Sequence, residues 1–421
     1  MNFIDSSSNG IFIKELTNIL GHFDEVVVEK DYRPIQGLER LAQDFIEHKS
    51  FFVSGITIEP SKGCNLRCDY CYSRDGASVP CNKNLLMNKK TADEIIPLLQ
   101  KDDSTIKPSK ICFFGGEPLL NFDMVKHFIE QLSGLDRYRF SMTTNGTLLD
   151  ADKAAYLAGK RCSLTISCDG PRHINDRHRK YRNGSGTQGD IIQNLKRFRA
   201  LSKDVGVRIT LTEEFDLVAL IDYFESLDIT YLTVAPFTIR KGYNTPFDLV
   251  KLNQDMSDQL ETTVMDRYLT CGENKQHYIH NLFETLKKRQ VRNRAPKACD
   301  IFTRDLSISS EGDFYPCHRY YGMEKFRIGG IARGLDWGRI REFWQGIIEA
   351  HRACETCWIH PFCLWFCPWQ LSLDNGTLSP VDPQRPECRL GRRLQELAIW
   401  LRYQEDLTKQ RETVPPPSQT Q

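Results

Sequence analysis

The stretch Gly63-Cys64-Asn65-Leu66-Arg67-Cys68-Asp69-Tyr70-Cys71 decides how this chain is read. It follows a strand-like run, Ile56-Thr57-Ile58, and spaces three cysteines as C-x3-C-x2-C in one tight loop. Three thiolates on such a loop can hold three irons of a cubane and leave the fourth iron without a protein ligand. A structural metal site closes its coordination sphere, whereas an open position is arranged for chemistry. Zinc fits poorly, because no fourth ligand lies near in the sequence to complete a tetrahedron. A loop at the carboxyl end of a strand is also where parallel β/α folds build their sites.

The bulk properties agree with a metal-bearing enzyme. A chain of 421 residues has room for two or three domains and a substantial core. A net charge of +1 gives no global reason to expect nucleic acid or an anionic membrane as partner. No apolar run approaches the roughly 18 residues of a membrane span. The start, Met1-Asn2-Phe3-Ile4-Asp5-Ser6, lacks the pattern of a secretory signal. Fifteen cysteines without such a signal argue for metal ligation in a reducing compartment rather than for disulfides, so the cytoplasm is the expected location.

Outward from the cysteine loop, strands and helices alternate. Lys110-Ile111-Cys112-Phe113-Phe114 reads as a buried strand stopped by Gly115-Gly116. Residues 139–143, 162–167, 205–211 and 231–234 supply four more strands, and helical spacing marks 121–132 and 190–201. Six strands with intervening helices imply a parallel α/β architecture over residues 51–240, which the family resemblance given below makes a partial (β/α)6 TIM-like barrel. Residues 1–50 read as a short extension with a helical stretch at 38–46. Residues 241–298 read as a polar helical bridge. Residues 299–395, rich in cysteines, aromatics and short turns, fit a small domain stapled by cofactors better than one with its own hydrophobic core. Residues 396–421 finish a helix and end in the disordered composition Pro415-Pro416-Pro417-Ser418-Gln419-Thr420-Gln421.

The ends of successive strands carry further motifs: Gly115-Gly116-Glu117-Pro118, Thr143-Thr144-Asn145-Gly146-Thr147 and Ser167-Cys168-Asp169-Gly170-Pro171. With C-x3-C-x2-C after the first strand, this series resembles the radical S-adenosylmethionine (SAM) superfamily, whose fold is a partial β6/α6 barrel. The resemblance implies a [4Fe-4S] cluster on Cys64, Cys68 and Cys71, with the methionine end of SAM chelating the open iron. It implies that Gly115, Gly116 and Glu117 contact the methionine ammonium, and that Asn145, Ser167 and Asp169 supply ribose and methionine contacts. Tyr70 stands where the family often places an adenine-contacting aromatic. One of Arg177 and Arg179 would meet the SAM carboxylate, with Arg179 preferred, since a guanidinium fork suits that group. Reductive cleavage of SAM would then give a 5′-deoxyadenosyl radical able to abstract hydrogen from an unactivated C–H bond.

A second array, Cys299, Cys317, Cys354, Cys357, Cys363, Cys367 and Cys388, is similar to the seven-cysteine SPASM extension of radical enzymes that modify peptides and proteins. By that resemblance Cys299, Cys317 and Cys367 would hold one auxiliary cluster, and Cys354, Cys357, Cys363 and Cys388 a second. The first set is one ligand short, leaving either an open iron, which is favoured, or an outside ligand such as Asp305. Related sulfatase-maturing enzymes carry an aspartate base after the second of these cysteines. Here that residue is His318, which can act as a catalytic base or as a plain hydrogen-bond partner. Of the remaining cysteines, Cys112 and Cys162 read as packing residues, and Cys81 and Cys271 as thiols without evident partners.

The expectation is a radical SAM/SPASM maturase of a ribosomally made precursor peptide, forming a thioether or carbon–carbon crosslink, epimerising a residue or excising backbone. The alternatives are a sulfatase-maturase-like formylglycine oxidase and a non-catalytic iron–sulfur electron carrier, which would not need the Gly115-Gly116-Glu117 motif. Expected partners are the precursor peptide, a separate peptide-recognition protein and an electron donor of flavodoxin or ferredoxin type, with no nucleic acid and no membrane.

Overall fold

The computed structural model describes residues 53–72, 85–101, 106–229, 231–238, 246–261, 305–359, 363 and 367–413. The 1–50 extension, most of the 241–298 bridge, Cys81, Cys271, Cys299 and the proline-rich tail lie outside the described residues.

Six strands lie side by side in chain order and all run parallel: β1 (Val53–Ile58), β2 (Ile106–Phe113), β3 (Arg139–Thr144), β4 (Ser163–Ser167), β5 (Val205–Leu211) and β6 (Leu232–Pro236). Between them come α1 (Lys89–Gln100), α2 (Phe122–Leu132), α3 (Ala151–Gly159), α4 (Arg172–His178), α5 (Gln188–Leu201) and α6 (Leu217–Glu225). Each helix buries one stripe. In α2 the stripe is Val125, Phe128, Ile129 and Leu132, which helical periodicity brings to one face. Asparagine or aspartate side chains start α1, α3 and α6 by accepting from a first-turn amide: Asn88 from Thr91, Asp150 from Lys153 and Asp216 from Ala219. The expected partial barrel is the observed α/β arrangement.

The sheet does not stop at β1. Strand β7 (Asp305–Ile308) adds to its outer edge in parallel, pairing Gly55 with Asp305 through Ile58 with Ile308. Three antiparallel strands follow, β8 (Asp313–Tyr315), β9 (Gly329–Gly330) and β10 (Gly334–Leu335), making one ten-stranded sheet. Gly312 makes the β7–β8 turn at φ +84, and a Cβ there would lie 2.3 Å from Ile331 Cδ1. Only glycine adopts that left-handed turn without strain.

Helices α7 (Leu249–Gln259), α8 (Trp337–Ala350) and α9 (Pro386–Thr413) complete the described elements of helical length. In α8, Ile340, Phe343, Trp344 and Ile347 are buried and join the same hydrophobic cluster as the barrel strands. The cysteine-rich region thus packs into the barrel's core, and what the sequence reading passed over is this helical periodicity. Its helix carries an i, i+3, i+4, i+7 stripe that the density of short turns around it obscured. Among the described residues no helix is long and apolar enough to cross a membrane.

Candidate active site

The cysteine loop is held where β1 and β2 end. Gly116 N donates to Ser61 O at 2.9 Å and Glu117 N to Gly63 O at 2.9 Å, so the Gly-Gly-Glu segment is zipped along the loop's backbone. The approach is closer than any side chain allows. A Cβ on Gly116 would sit 2.2 Å from Gly63 O, and one on Gly115 would sit 2.4 Å from Ser61 O. Asn121 Nδ2 anchors the loop's base, donating to Pro60 O at 2.8 Å and Met87 O at 2.9 Å.

Glu117 lies beneath this rim, fully buried. Its Oε1 accepts from Leu119 N at 3.0 Å and Thr144 Oγ1 at 2.6 Å, and its Oε2 from Asn145 N at 2.8 Å. Burial raises its pKa, and these three donors oppose the rise. The carboxylate therefore clips the end of β2 to the end of β3, a structural duty that the sequence motif did not reveal.

Cys64, Cys68 and Cys71 open onto one cavity of about 190 Å3. Asn145 Nδ2 approaches Cys64 Sγ at 3.7 Å, Leu66 N the same sulfur at 3.4 Å, and Arg179 Nη1 approaches Cys68 Sγ at 3.8 Å. Burial, reinforced by Glu117, pushes the Cys64 thiol up to about 12. Burial pushes Cys68 up to about 11 against the pull of Arg179. Both sulfurs stay protonated until a metal displaces the proton. Among the described residues no three ligand side chains already converge on a single ion position. Three soft donors facing one cavity, with amide and guanidinium donors directed at them, fit an iron–sulfur cluster.

The remaining predicted SAM contacts divide into two sets. Gly115, Gly116, Asn145, Ser167, Tyr70 and Arg179 line the cavity; Glu117 and Asp169 stand behind its wall. Tyr70, Asp169 and Arg179 form one hydrogen-bonded unit: Tyr70 Oη donates to Asp169 Oδ2, and Arg179 Nη2 donates to Tyr70 Oη at 2.5 Å. Arg179 Nε lies 3.5 Å from Asp169 Oδ2, and Asp169 Oδ1 accepts from Thr210 N at 3.0 Å. Burial drives the Tyr70 phenol well above its ordinary range, so it remains a donor. Arg177 turns away to pair with Glu213 at 2.8 Å, which leaves Arg179 as the arginine that faces the thiols.

The opposite wall comes from beyond the barrel. His318 packs on Phe114 at a tilt of 35°, ring centroids 4.1 Å apart, with Nδ1 3.7 Å from Cys317 Sγ. Burial, helped by Arg319 and Arg208, pushes His318 down to about 3, so the ring is neutral and a weak proton acceptor. Arg208 and Arg319 line the same cavity, as do Tyr72, Phe114 and Thr210. Sequence reasoning missed these five as site residues. Arg208 did carry a signal, since it interrupts Val205, Val207, Ile209 and Leu211, an alternating buried face of β5.

Of the second array, Cys354 lies near Cys388, Cys363 and Cys357, and Cys317 near Cys367, while Cys299 lies outside the described residues. Cys354 is pushed up to about 12 by burial and by neighbouring Cys388, Cys363 and Cys357, and Cys388 to about 11 by burial and Cys363. Cys317 is pushed up to about 12 by burial, with Cys367 and Asp305 among the nearby charges. None of the described cysteines forms a disulfide. Cys162 and Cys168 are core residues, whereas Cys112 is only partly buried.

Residues 58–224 match the sequence model of the radical SAM superfamily. The chain is 25% identical over 341 residues to a cysteine-type anaerobic sulfatase-maturating enzyme of Clostridium perfringens, covering 74% of this chain and 88% of that protein. It superposes on anSMEcpe with bound AdoMet and a peptide at TM-score 0.67 and 19% identity, covering 84% of this chain and 99% of that one. It also superposes on Streptococcus suis SuiB bound to its precursor peptide SuiA, at TM-score 0.57 and 18% identity, covering 88% and 80%. With the three-cysteine loop and its companion motifs at the strand ends, residues 58–224 are the radical SAM domain of an enzyme.

Proposed function

We propose that the enzyme is a peptide maturase that cleaves SAM at the Cys64–Cys68–Cys71 site and modifies a residue of a ribosomally made precursor. The observation that carries this reading is the shared cavity, whose floor is the three-cysteine loop and whose far wall is the segment His318–Arg319 beside Cys317. A substrate in that cavity would lie between the radical-generating loop and the cysteine-rich region. Relatives with bound peptides support the substrate class.

When bound, the cluster and SAM supply a 5′-deoxyadenosyl radical that removes a hydrogen atom from substrate. The chain's own residues hold and orient. Cys64, Cys68 and Cys71 ligate the cluster. Arg179, fixed by Tyr70 and Asp169, presents a fork to the SAM carboxylate, and Asn145 and Ser167 offer polar groups at adjoining strand ends. Phe114, Tyr72 and Phe237 exclude water from the space between. The grouping of Cys354, Cys357, Cys363 and Cys388, and of Cys317 with Cys367, supports two auxiliary clusters.

A formylglycine oxidase remains the second reading, favoured by the sulfatase-maturating relative. The presence of His318, where that chemistry places a carboxylate base, favours the maturase. Co-expression with small open reading frames beside the gene, followed by mass spectrometry, separates the two. A peptide that is crosslinked, epimerised or shortened and carries no aldehyde is expected; an aldehyde captured by a hydrazide probe would establish the oxidase instead.

A further inference from the structure

We propose that Asn145 is a fixed N–H donor to the Cys64 sulfur, and that the Asn145–Asn65–Thr147 triad thereby sets the reduction potential of the cluster on the cysteine loop. The inference rests on the site at Cys64, Cys68 and Cys71, and it gives Asn145 a duty other than contact with SAM.

The orientation of the Asn145 amide is dictated by a donor that cannot be reversed. Thr147 N, a backbone N–H, donates to Asn145 Oδ1 at 3.0 Å, so the oxygen lies on that side and Nδ2 on the other. Thr147 Oγ1 donates to the same oxygen at 2.7 Å and accepts from Asn65 Nδ2 at 2.9 Å. Asn65 Oδ1 in turn accepts from Asn145 Nδ2 at 2.9 Å, which closes a ring of three side chains. Both lone pairs of Oδ1 and one hydrogen of Nδ2 are then used, and the other hydrogen is left for Cys64 Sγ, 3.7 Å from Nδ2. The backbone around the amide is held as well. Asn145 N donates to Glu117 Oε2 at 2.8 Å, and Asn194 Nδ2 donates to Gly146 O at 2.8 Å.

A ligating sulfur gains negative charge when its cluster is reduced, so an N–H donor at that sulfur favours the reduced form. Cys64 is the sulfur that needs one. The charge of Glu117 raises the Cys64 pKa, and the same field opposes an added electron. Cys68 instead has the Arg179 guanidinium, 3.8 Å from its sulfur. Leu66 N, 3.4 Å from Cys64 Sγ, is the backbone's contribution, and Asn145 is the side chain's. Asn145 acts through Cys64, as a positioning residue. Reduction takes one electron from an external donor, of flavodoxin or ferredoxin class or dithionite in the test, and the amide transfers no proton.

Asn145→Leu keeps the side chain's shape and removes the donor. The test is an EPR-monitored redox titration of the reconstituted full-length enzyme without SAM, using dithionite and mediators. The signal followed is the one that later addition of SAM perturbs, which separates it from any cluster on the second array. The expected result is a roughly tenfold fall in the ratio of reduced to oxidised cluster at a fixed potential, a downward shift of about 59 mV for one electron. SAM affinity by equilibrium dialysis should stay at the wild-type value. A second measurement uses the wild type alone, grown with asparagine that carries the heavy nitrogen isotope in its side chain. Pulsed EPR of the reduced site without SAM should show coupling to that nitrogen, whether or not the variant keeps its iron.

An unchanged potential in Asn145→Leu overturns the proposal, as does a fall in SAM affinity with the potential unmoved. A labelled wild type without the nitrogen coupling overturns it too. A wild type that yields no signal perturbed by SAM would overturn the site itself.

Discussion

At the residue scale the site is a set of paired obligations. Arg179 is held by Tyr70 and Asp169 and reaches Cys68, so its fork geometry matters as much as its charge. Arg179→Lys keeps the charge and loses the fork. The expected outcome is SAM binding weakened roughly tenfold, measured by equilibrium dialysis, with cluster content unchanged. The cysteines were legible because they crowd one short loop, where three thiolates at that spacing suit little besides a metal cluster. Arg319 was not, because a lone arginine after a cysteine has no local pattern, and Arg208 showed only as a charge set among the apolar residues of a strand. Only the fold reveals that the two share a cavity. Glu117 was seen as a site residue, but its fixed position under the rim depends on Thr144 and Asn145, which the chain brings to it from the next strand.

At the scale of elements, the loop and the strand ends work as a unit. Gly116→Ala would drive a Cβ into Gly63 O, so the cysteine loop must move while the barrel stays. The prediction is a cooperatively folded variant with far-ultraviolet circular dichroism of the wild type and strongly reduced iron per chain. A second element joins the loop's start to the β7–β8 turn. Glu59, at the end of β1, is buried, and its Oε2 accepts from Ser310 N and Oγ, both at 3.1 Å. Burial raises its pKa from 4.5 to about 7. The folded state then binds more protons than the unfolded chain across that window, so stability is full below the unfolded value and falls as pH rises through the folded one. The loss is on the order of 3 kcal/mol. Denaturant melts of the apoprotein should show this fall between pH 5 and 7, and Glu59→Gln should flatten it. An unchanged slope in the variant would assign the effect elsewhere.

At the scale of the whole molecule, the barrel and the cysteine-rich region share one sheet and one core. Strand β7 covers the edge of β1, and Ser310 meets Glu59 across 251 positions of chain. Removing everything after residue 261 would uncover the edge of β1 and the faces that pack Leu306, Ile308 and Phe314. The truncated chain should bind a hydrophobic dye and lose cooperative unfolding; a sharp transition would show that the barrel is self-sufficient. Local patterns made the six parallel strands legible, because each is a short apolar run bounded by turn residues. The seventh strand was not legible, since its partner is chosen by an open sheet edge far away in sequence. The α8 stripe was masked by the turns around it.

The central claim is that Cys64, Cys68 and Cys71 form the radical-generating site. Its most direct test is 5′-deoxyadenosine formation by the anaerobically reconstituted, chemically reduced enzyme with SAM, measured by liquid chromatography and mass spectrometry. The account predicts SAM-dependent product from the wild type and none from Cys64→Ala, Cys68→Ala or Cys71→Ala, with the second cysteine array intact in each. Product that persists in these variants, or that never appears in a wild type carrying a full complement of iron, would contradict it.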